Sequence, residues 1–429
     1  MASHSGALSA PLPFAGLALV VLVGTAGPGV AQQSDTLRMS EVVAEARQAN
    51  PGLMAARHQA EAARQRVAPA SALPDPMLSF GFMNRPVGGL TRTDVQMTMN
   101  TVQLSQRFPW PGARGFSGER QAHLALADAF EADELEGSLI ARVKTAYYRM
   151  AYMDRAIAIL FGTRELLRDF LEVAEARYAV GTGVQQDVLQ AQVAIAQTSA
   201  DVTVMEQDRL ALAARFNSLL GRPATTAVGA LELPDPRDGL PGVEEMLGVA
   251  AANRPAFEAA RRRALAAESA YGLADRSRYP DITVTIAYGQ RPAFADLATL
   301  MVGVDLPVFS GSKQSRVRDE MLALQSVEAA REVDLYNETH AQLAELRARA
   351  ERARTLSELY RTSILPQASA AVESSLSAYR VGSVDYMTLL SNQMTVNRFL
   401  VERVRLAAEH AQTLAEIDAL LGANRGELP

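Results

Sequence analysis

The chain has 429 residues, 48% of them apolar, a formal net charge of -6 and no cysteine. That length allows two or three ordinary domains and a large buried core. The missing cysteines exclude disulfides, a thiolate nucleophile and an amino-terminal lipid-bearing thiol, and Lys and Arg interspersed with acids argue against nucleic acid as a partner.

In chain order the first feature is FAGLALVVLV, Phe14 to Val23, an apolar run too short to span a bilayer. Gly29, Val30 and Ala31 follow with small residues where a signal peptidase reads them, so residues 1–31 are expected to be an export signal. Beyond Ala31 no stretch approaches the roughly 20 apolar residues that a spanning helix requires.

Ser40 to Ala70 is helical by composition, with Ser40 as the expected N-cap. Residues 77–84 alternate, with Leu78, Phe80 and Phe82 on one face and Ser79 and Gly81 on the other. Residues 95–106 read as a second strand that changes phase near Asn100, as a bulge would produce. FPWPG then closes the strand, because neither proline can pair inside a sheet and the residue before each is held extended.

From Gly115 to Tyr178 there is no proline, so a helix about 95 Å long is expected. A glycine turn, Val180 to Asp187, leads into a helix over about 186–220. The Pro- and Gly-rich segment 222–242 is a connector that is expected to run outside the helices.

The remainder repeats the first half. NPGLMAAR (Asn50 to Arg57) recurs as RPAFEAAR (Arg254 to Arg261), and DPMLSFGF (Asp75 to Phe82) recurs as YPDITVTI (Tyr279 to Ile286), both 204 residues on. RYAVGTGVQQDVLQAQ (Arg177 to Gln192) recurs as AYRVGSVDYMTLLSNQ (Ala378 to Gln393). Two repeats are therefore expected, 32–221 and 243–422, each ordered as helix, two strands, long helix, tight turn and helix, with a tail at 423–429.

In the second repeat the strands fall at about 281–289 and 299–307. The long helix runs over about 313–379 with a bend at Pro366, and the last helix over about 386–421. In each repeat the shorter helices together match the length of the long one.

A helix of that length has no globular core to cover it and must pack along other helices. Four amphipathic strands cannot close a membrane barrel, since single-chain bacterial barrels start at eight. Oligomerisation meets both needs by pooling hairpins into one closed barrel and helices into one cylinder. Two copies would close it by arithmetic, as would three.

With the duplicated unit, LPDPMLSFGFMN (Leu73 to Asn84), the two glycine-turn segments and SILPQA (Ser363 to Ala368), the chain resembles the TolC family of outer-membrane factors. The resemblance implies a mainly α fold with a β-barrel part. It implies a homotrimer whose 12-stranded barrel sits among outer-membrane lipid and continues as a 12-helix tunnel through the periplasm. It also implies a passive efflux duct that works with a periplasmic adaptor and an inner-membrane pump. FPWPG is most similar to the branch that serves heavy-metal pumps of the resistance-nodulation-division class. Type I secretion and multidrug export are alternative duties, and a periplasmic coiled-coil adaptor is the alternative fold.

No catalysis and no cofactor are expected: His58, His123, His340 and His410 are scattered, and no phosphate-binding loop or nucleophile elbow occurs. Function is expected at the glycine turns. The resemblance makes Asp187, Asp385, Thr388 and Ser391 candidates for a periplasmic gate. Val180, Gly181, Thr182, Gly183, Val381, Gly382, Ser383 and Val384 are candidates for adaptor docking. Asp187 and Asp385 either make the mouth electronegative or simply stabilise helix N-termini. Phe108, Trp110, Tyr288 and Phe309 are candidate aromatics at the membrane interface.

Overall fold

The structure is a computed structural model that describes residues 37–88, 95–236 and 239–422. The expected export signal, 1–31, and the tail, 423–429, lie outside the described residues. The first repeat supplies α1 (Met39–Ala49), α2 (Pro51–Gln65), α3 (Val67–Ser71), β1 (Met77–Met83), β2 (Met99–Phe108), α4 (Ala113–Ala179) and α5 (Gln185–Leu219). The second supplies α6 (Val243–Asn253), α7 (Pro255–Arg276), β3 (Asp281–Gln290), β4 (Leu297–Asp305), α8 (Gln314–Leu359), a π turn (Tyr360–Ile364), α9 (Leu365–Arg380) and α10 (Tyr386–Leu420).

Several local expectations are corrected. The helix drawn from Ser40 to Ala70 is broken at Asn50, whose extended backbone is what a following proline imposes. Asn50 then caps α2, accepting from the Leu53 amide at 3.0 Å, while Arg38 rather than Ser40 precedes α1. Arg254 before Pro255 breaks the second repeat at the matching place.

The strand drawn from Val95 starts at Met99, and its pairing with β1 and β3 runs without a bulge. Residues 95–98 form a turn, closed by the Thr98 amide on the Val95 carbonyl at 2.9 Å. β4 ends at Asp305, so Leu306 and Pro307 lie outside it. The second long helix is interrupted just before Pro366. That residue has no N–H for the Thr362 carbonyl, and the π turn ending at Ile364 takes up the mismatch.

At about 1.5 Å per residue α4 is roughly 100 Å long, and every other long helix leans on it or on α8. α2 and α5 stack end to end along α4, joined where Asn50 Nδ2 donates to the Leu219 carbonyl at 2.9 Å. α7 and α10 stack in the same way between α4 and α8. The seam is tight in both repeats: Gly221 and Gly422 have left-handed backbones, and a Cβ on either would lie 2.6 Å from the carbonyl of Ala49 or Asn253.

The core is distributed along the helices. Phe216, Tyr147, Met150 and Val143 pack against Val42 and Ala46 of α1 and Leu231 of the connector. Phe170, Leu167, Tyr379, Tyr386 and Leu389 form a separate cluster near the glycine turns. Burying each such aromatic is worth about 1.5–3 kcal/mol. Buried alanines such as Ala125, Ala132 and Ala156 let α4 approach its neighbours closely. No helix among the described residues is long and apolar enough to cross a membrane.

Candidate membrane face and helical mouth

Among the described residues, four strands make one antiparallel sheet in the order β1-β2-β3-β4, so β1 and β4 are its open edges there. Register sorts the side chains. Leu78 faces Leu104, which faces Ile286, which faces Leu300; in the next row of the same face stand Phe80, Val102, Tyr288 and Ala298. The opposite face carries Ser79, Gln103, Ala287 and Thr299, then Met77, Ser105, Thr285 and Met301.

The apolar face is the exposed one, with Phe80 75%, Phe82 77% and Leu300 70% accessible. A hairpin packed on a soluble core would hide those residues. From Ile282 to Tyr288 the apolar rows span about 20 Å, close to the roughly 25 Å lipid-facing band of outer-membrane barrels.

The candidate aromatics fall at different levels. Tyr288 is near the distal end of β3, whereas Phe108 ends β2 beside Ile282 and Phe309 lies past β4, next to the helices. Trp110 is half-buried between the two repeats: its ring stacks on Tyr279 at 4.9 Å, and its amide donates to Asp281 Oδ1 at 2.9 Å. Arg107 binds the other oxygen of Asp281 at 2.7 Å. Gly112, at φ 90°, turns the chain from this junction into α4.

At the far end of the helices, α4 and α9 terminate in matching turns. Gly181 and Gly382 are left-handed, and the amides of Thr182 and Ser383 bond back to the carbonyls of Arg177 and Ala378, each at 2.9 Å. Val180, Gly181, Thr182 and Val184 are exposed, as are Val381, Gly382 and Ser383, while Gly183 and Val384 are half-buried.

The two acids play different parts. Asp385 is exposed and caps α10, its carboxylate accepting from the Thr388 amide at 2.8 Å. The Thr388 hydroxyl, and then that amide, hold its pKa below the usual carboxylate value. Asp187 lies at the third position of α5 and reaches across to the second repeat, accepting from the Tyr379 hydroxyl at 2.9 Å. Thr388 and Ser391 are exposed on α10; the structure brings neither side chain into that contact.

Around Tyr379 stand two residues that sequence reasoning missed. Arg177 lays its guanidinium over the Tyr379 ring, 4.5 Å from the centroid, and donates to the Tyr379 carbonyl and, at 3.0 Å, to that of Thr182. Tyr386 is fully buried against Tyr379, its hydroxyl without a hydrogen-bond partner among the described residues, and burial raises its pKa to about 12. Burial first, then the bond to Asp187, pushes the Tyr379 hydroxyl higher still. The available signal was an asymmetry between repeats: Arg177 stands where the second repeat has Ala378.

The sheet thus exposes its apolar face at one end of the long helices, and the paired glycine turns lie at the other. Residues 42–222 match the outer membrane efflux protein family. Nodulation protein T of Rhizobium leguminosarum bv. trifolii is 24% identical over 229 residues, 52% of this chain. The chain spans about half the length of that curated relative, 49%.

Among solved structures, the outer membrane protein VceC of Vibrio cholerae covers 90% of this chain and 96% of its own at TM-score 0.76 and 16% identity. The open-state outer membrane channel MtrE of Neisseria gonorrhoeae covers 90% of this chain and 89% of its own at TM-score 0.75 and 18% identity. The family match lies in the first repeat. The fold of these outer-membrane channels extends through both repeats.

Proposed function

We propose that the chain is one subunit of a passive outer-membrane efflux duct. Three copies close a 12-stranded barrel, with β4 of one copy pairing with β1 of the next, and their helices continue it as a 12-helix tunnel through the periplasm. The single observation that carries this reading is the four-stranded sheet, apolar on its exposed face and unpaired at both edges. A lone copy leaves those edges and the exposed stripe of α8 with Leu322, Val333 and Tyr336 uncovered.

The rest of the reading follows from the tips. A homotrimer presents six glycine turns at its periplasmic end, which serve as docking points for an adaptor and, through it, for an inner-membrane pump of the resistance-nodulation-division class. Asp187, held by Tyr379, and the exposed Asp385, Thr388 and Ser391 line that mouth. Phe108, Trp110, Tyr288 and Phe309 mark the two membrane interfaces. Export is catalysis-free: the duct supplies a path, and the pump supplies the work.

The heavy-metal assignment rests on FPWPG, a segment whose contacts here are those of a strand-to-helix junction. Deleting the coding sequence tests cargo directly. Sensitisation to divalent metal salts supports the metal branch, and sensitisation to organic compounds alone supports drug export. Reconstitution tests the duct itself: purified oligomers are expected to give discrete conductance steps in planar bilayers, and a folded protein without conductance would refute the proposal.

A further inference from the structure

The layer formed by α5, α4, α10 and α8 has two unlike faces at the level of the connector. One is covered. Leu139, Val143 and Tyr147 of α4 and Phe216 of α5 pack beneath α1 and Leu231, while Leu343 of α8 and Ile417 of α10 pack with Met246 and Leu247 of α6. The other face is open, and it bears a groove of about 820 Å³ lined by side chains of all four helices.

This groove is rich in arginine, although the chain as a whole carries a net charge of -6. Its carboxylates are already engaged: Glu134 with Arg254 at 2.8 Å, and Glu345 and Glu416 with Arg349 at 2.8 and 3.3 Å. Arg142, Arg149 and Arg215 also line it, all exposed, and none has an ion pair among the described residues. Arg142 and Arg149 are two turns apart on α4, roughly 10 Å along one face. Arg215 of α5 occupies the position that Glu416 holds in the second repeat, so the first repeat leaves positive what the second neutralises.

We propose that in the assembled duct this groove is a station for anions: Arg142, Arg149 and Arg215 hold solutes bearing carboxylate, sulfonate or phosphate groups as they pass. The inference rests on the duct reading, because only in a closed ring does the open face look onto a water-filled bore. Guanidinium groups match such anions with paired donors, and a bore with low-dielectric walls concentrates their field. Rings of Arg or Lys select anions in other pores for the same reason.

The test uses the purified oligomer in planar bilayers under a salt gradient, with tripolyphosphate as blocker. Relative to the wild type, the triple variant Arg142→Gln, Arg149→Gln, Arg215→Gln is expected to shift the reversal potential toward cations. It should also need at least ten times more tripolyphosphate for half block. The corresponding triple Lys variant, which keeps the charge, is expected to retain the wild-type preference. An unchanged reversal potential and block in the Gln variant would overturn the anion station and leave the duct standing. A folded oligomer with no conductance at all would remove the duct, and the station with it.

Discussion

The Tyr379 hydroxyl donates to Asp187 Oδ2 at 2.9 Å, tying the last turn of α9 to the first turn of α5 and so one repeat's tip to the other's. The equivalent tyrosine of the first repeat, Tyr178, is 50% exposed, whereas Tyr379 is 1% exposed. One tyrosine has thus become a bolt between the hairpins while its counterpart faces solvent. Arg177, stacked on the same ring, completes the contact.

Tyr379→Phe removes the hydroxyl and little volume, so it tests the bond rather than the packing. A cost of about 1.5–3 kcal/mol is expected, in the range of hydrogen bonds to charged groups. Amides of Val180 to Asp187 should exchange faster with solvent. In a double-mutant cycle with Asp187→Ala the two effects should be far from additive. Additive losses would mean that the two residues act separately.

The pH response follows from the signs of the shifts. Folded Tyr379 and Tyr386 have pKa values above the ordinary 10.0, so their contribution is complete below pH 10 and is lost as pH rises, through about 12 for Tyr386. Asp385 is shifted the other way: its contribution is present above the ordinary 3.8 and is lost as pH falls below it. The tips should therefore be insensitive to pH between about 5 and 9. Ultraviolet titration of tyrosinate is expected to show late-ionising groups that Tyr379→Phe and Tyr386→Phe remove.

The two faces of the sheet should respond oppositely to charge. Ile286→Arg places a cation in the middle of the exposed apolar face, where a barrel pays about 2–4 kcal/mol at the bilayer midplane. Insertion into liposomes, followed by flotation, should fall sharply. Gln103→Lys, on the opposite face, should insert like the wild type. Equal insertion of both variants would show that the apolar face does not meet lipid.

Gly221→Ala and Gly422→Ala should each lower the unfolding temperature, because the new Cβ meets a carbonyl oxygen at 2.6 Å as well as a left-handed backbone. The backbone alone costs about 1–2 kcal/mol. Gly181→Ala, at φ 75° with open space around it, isolates that backbone cost. The seam glycines should be the more sensitive of the three in a thermal scan.

What could be read from the chain was whatever depends on local pattern. Ile282, Val284, Ile286 and Tyr288 alternate strictly, and they do share one face. Val95, Met97 and Met99 alternate as well, yet Val95 and Met97 lie in a turn, because periodicity cannot distinguish a short strand from a loop with apolar residues. The break before Pro51 is legible from the proline rule, which here outweighs the helical composition of Ser40 to Ala70. The bond between Tyr379 and Asp187 joins residues 192 apart, and no local pattern encodes such a meeting. The arginine groove is illegible for the same reason, since four helices contribute to it.

The proposed duct exists only if copies of the chain complete one another's sheet and helical wall. Native mass spectrometry of protein extracted from membranes in detergent measures that directly. A particle of three chains is expected, stable only while detergent or lipid covers the barrel. A detergent-free, monodisperse particle of one chain would contradict the account.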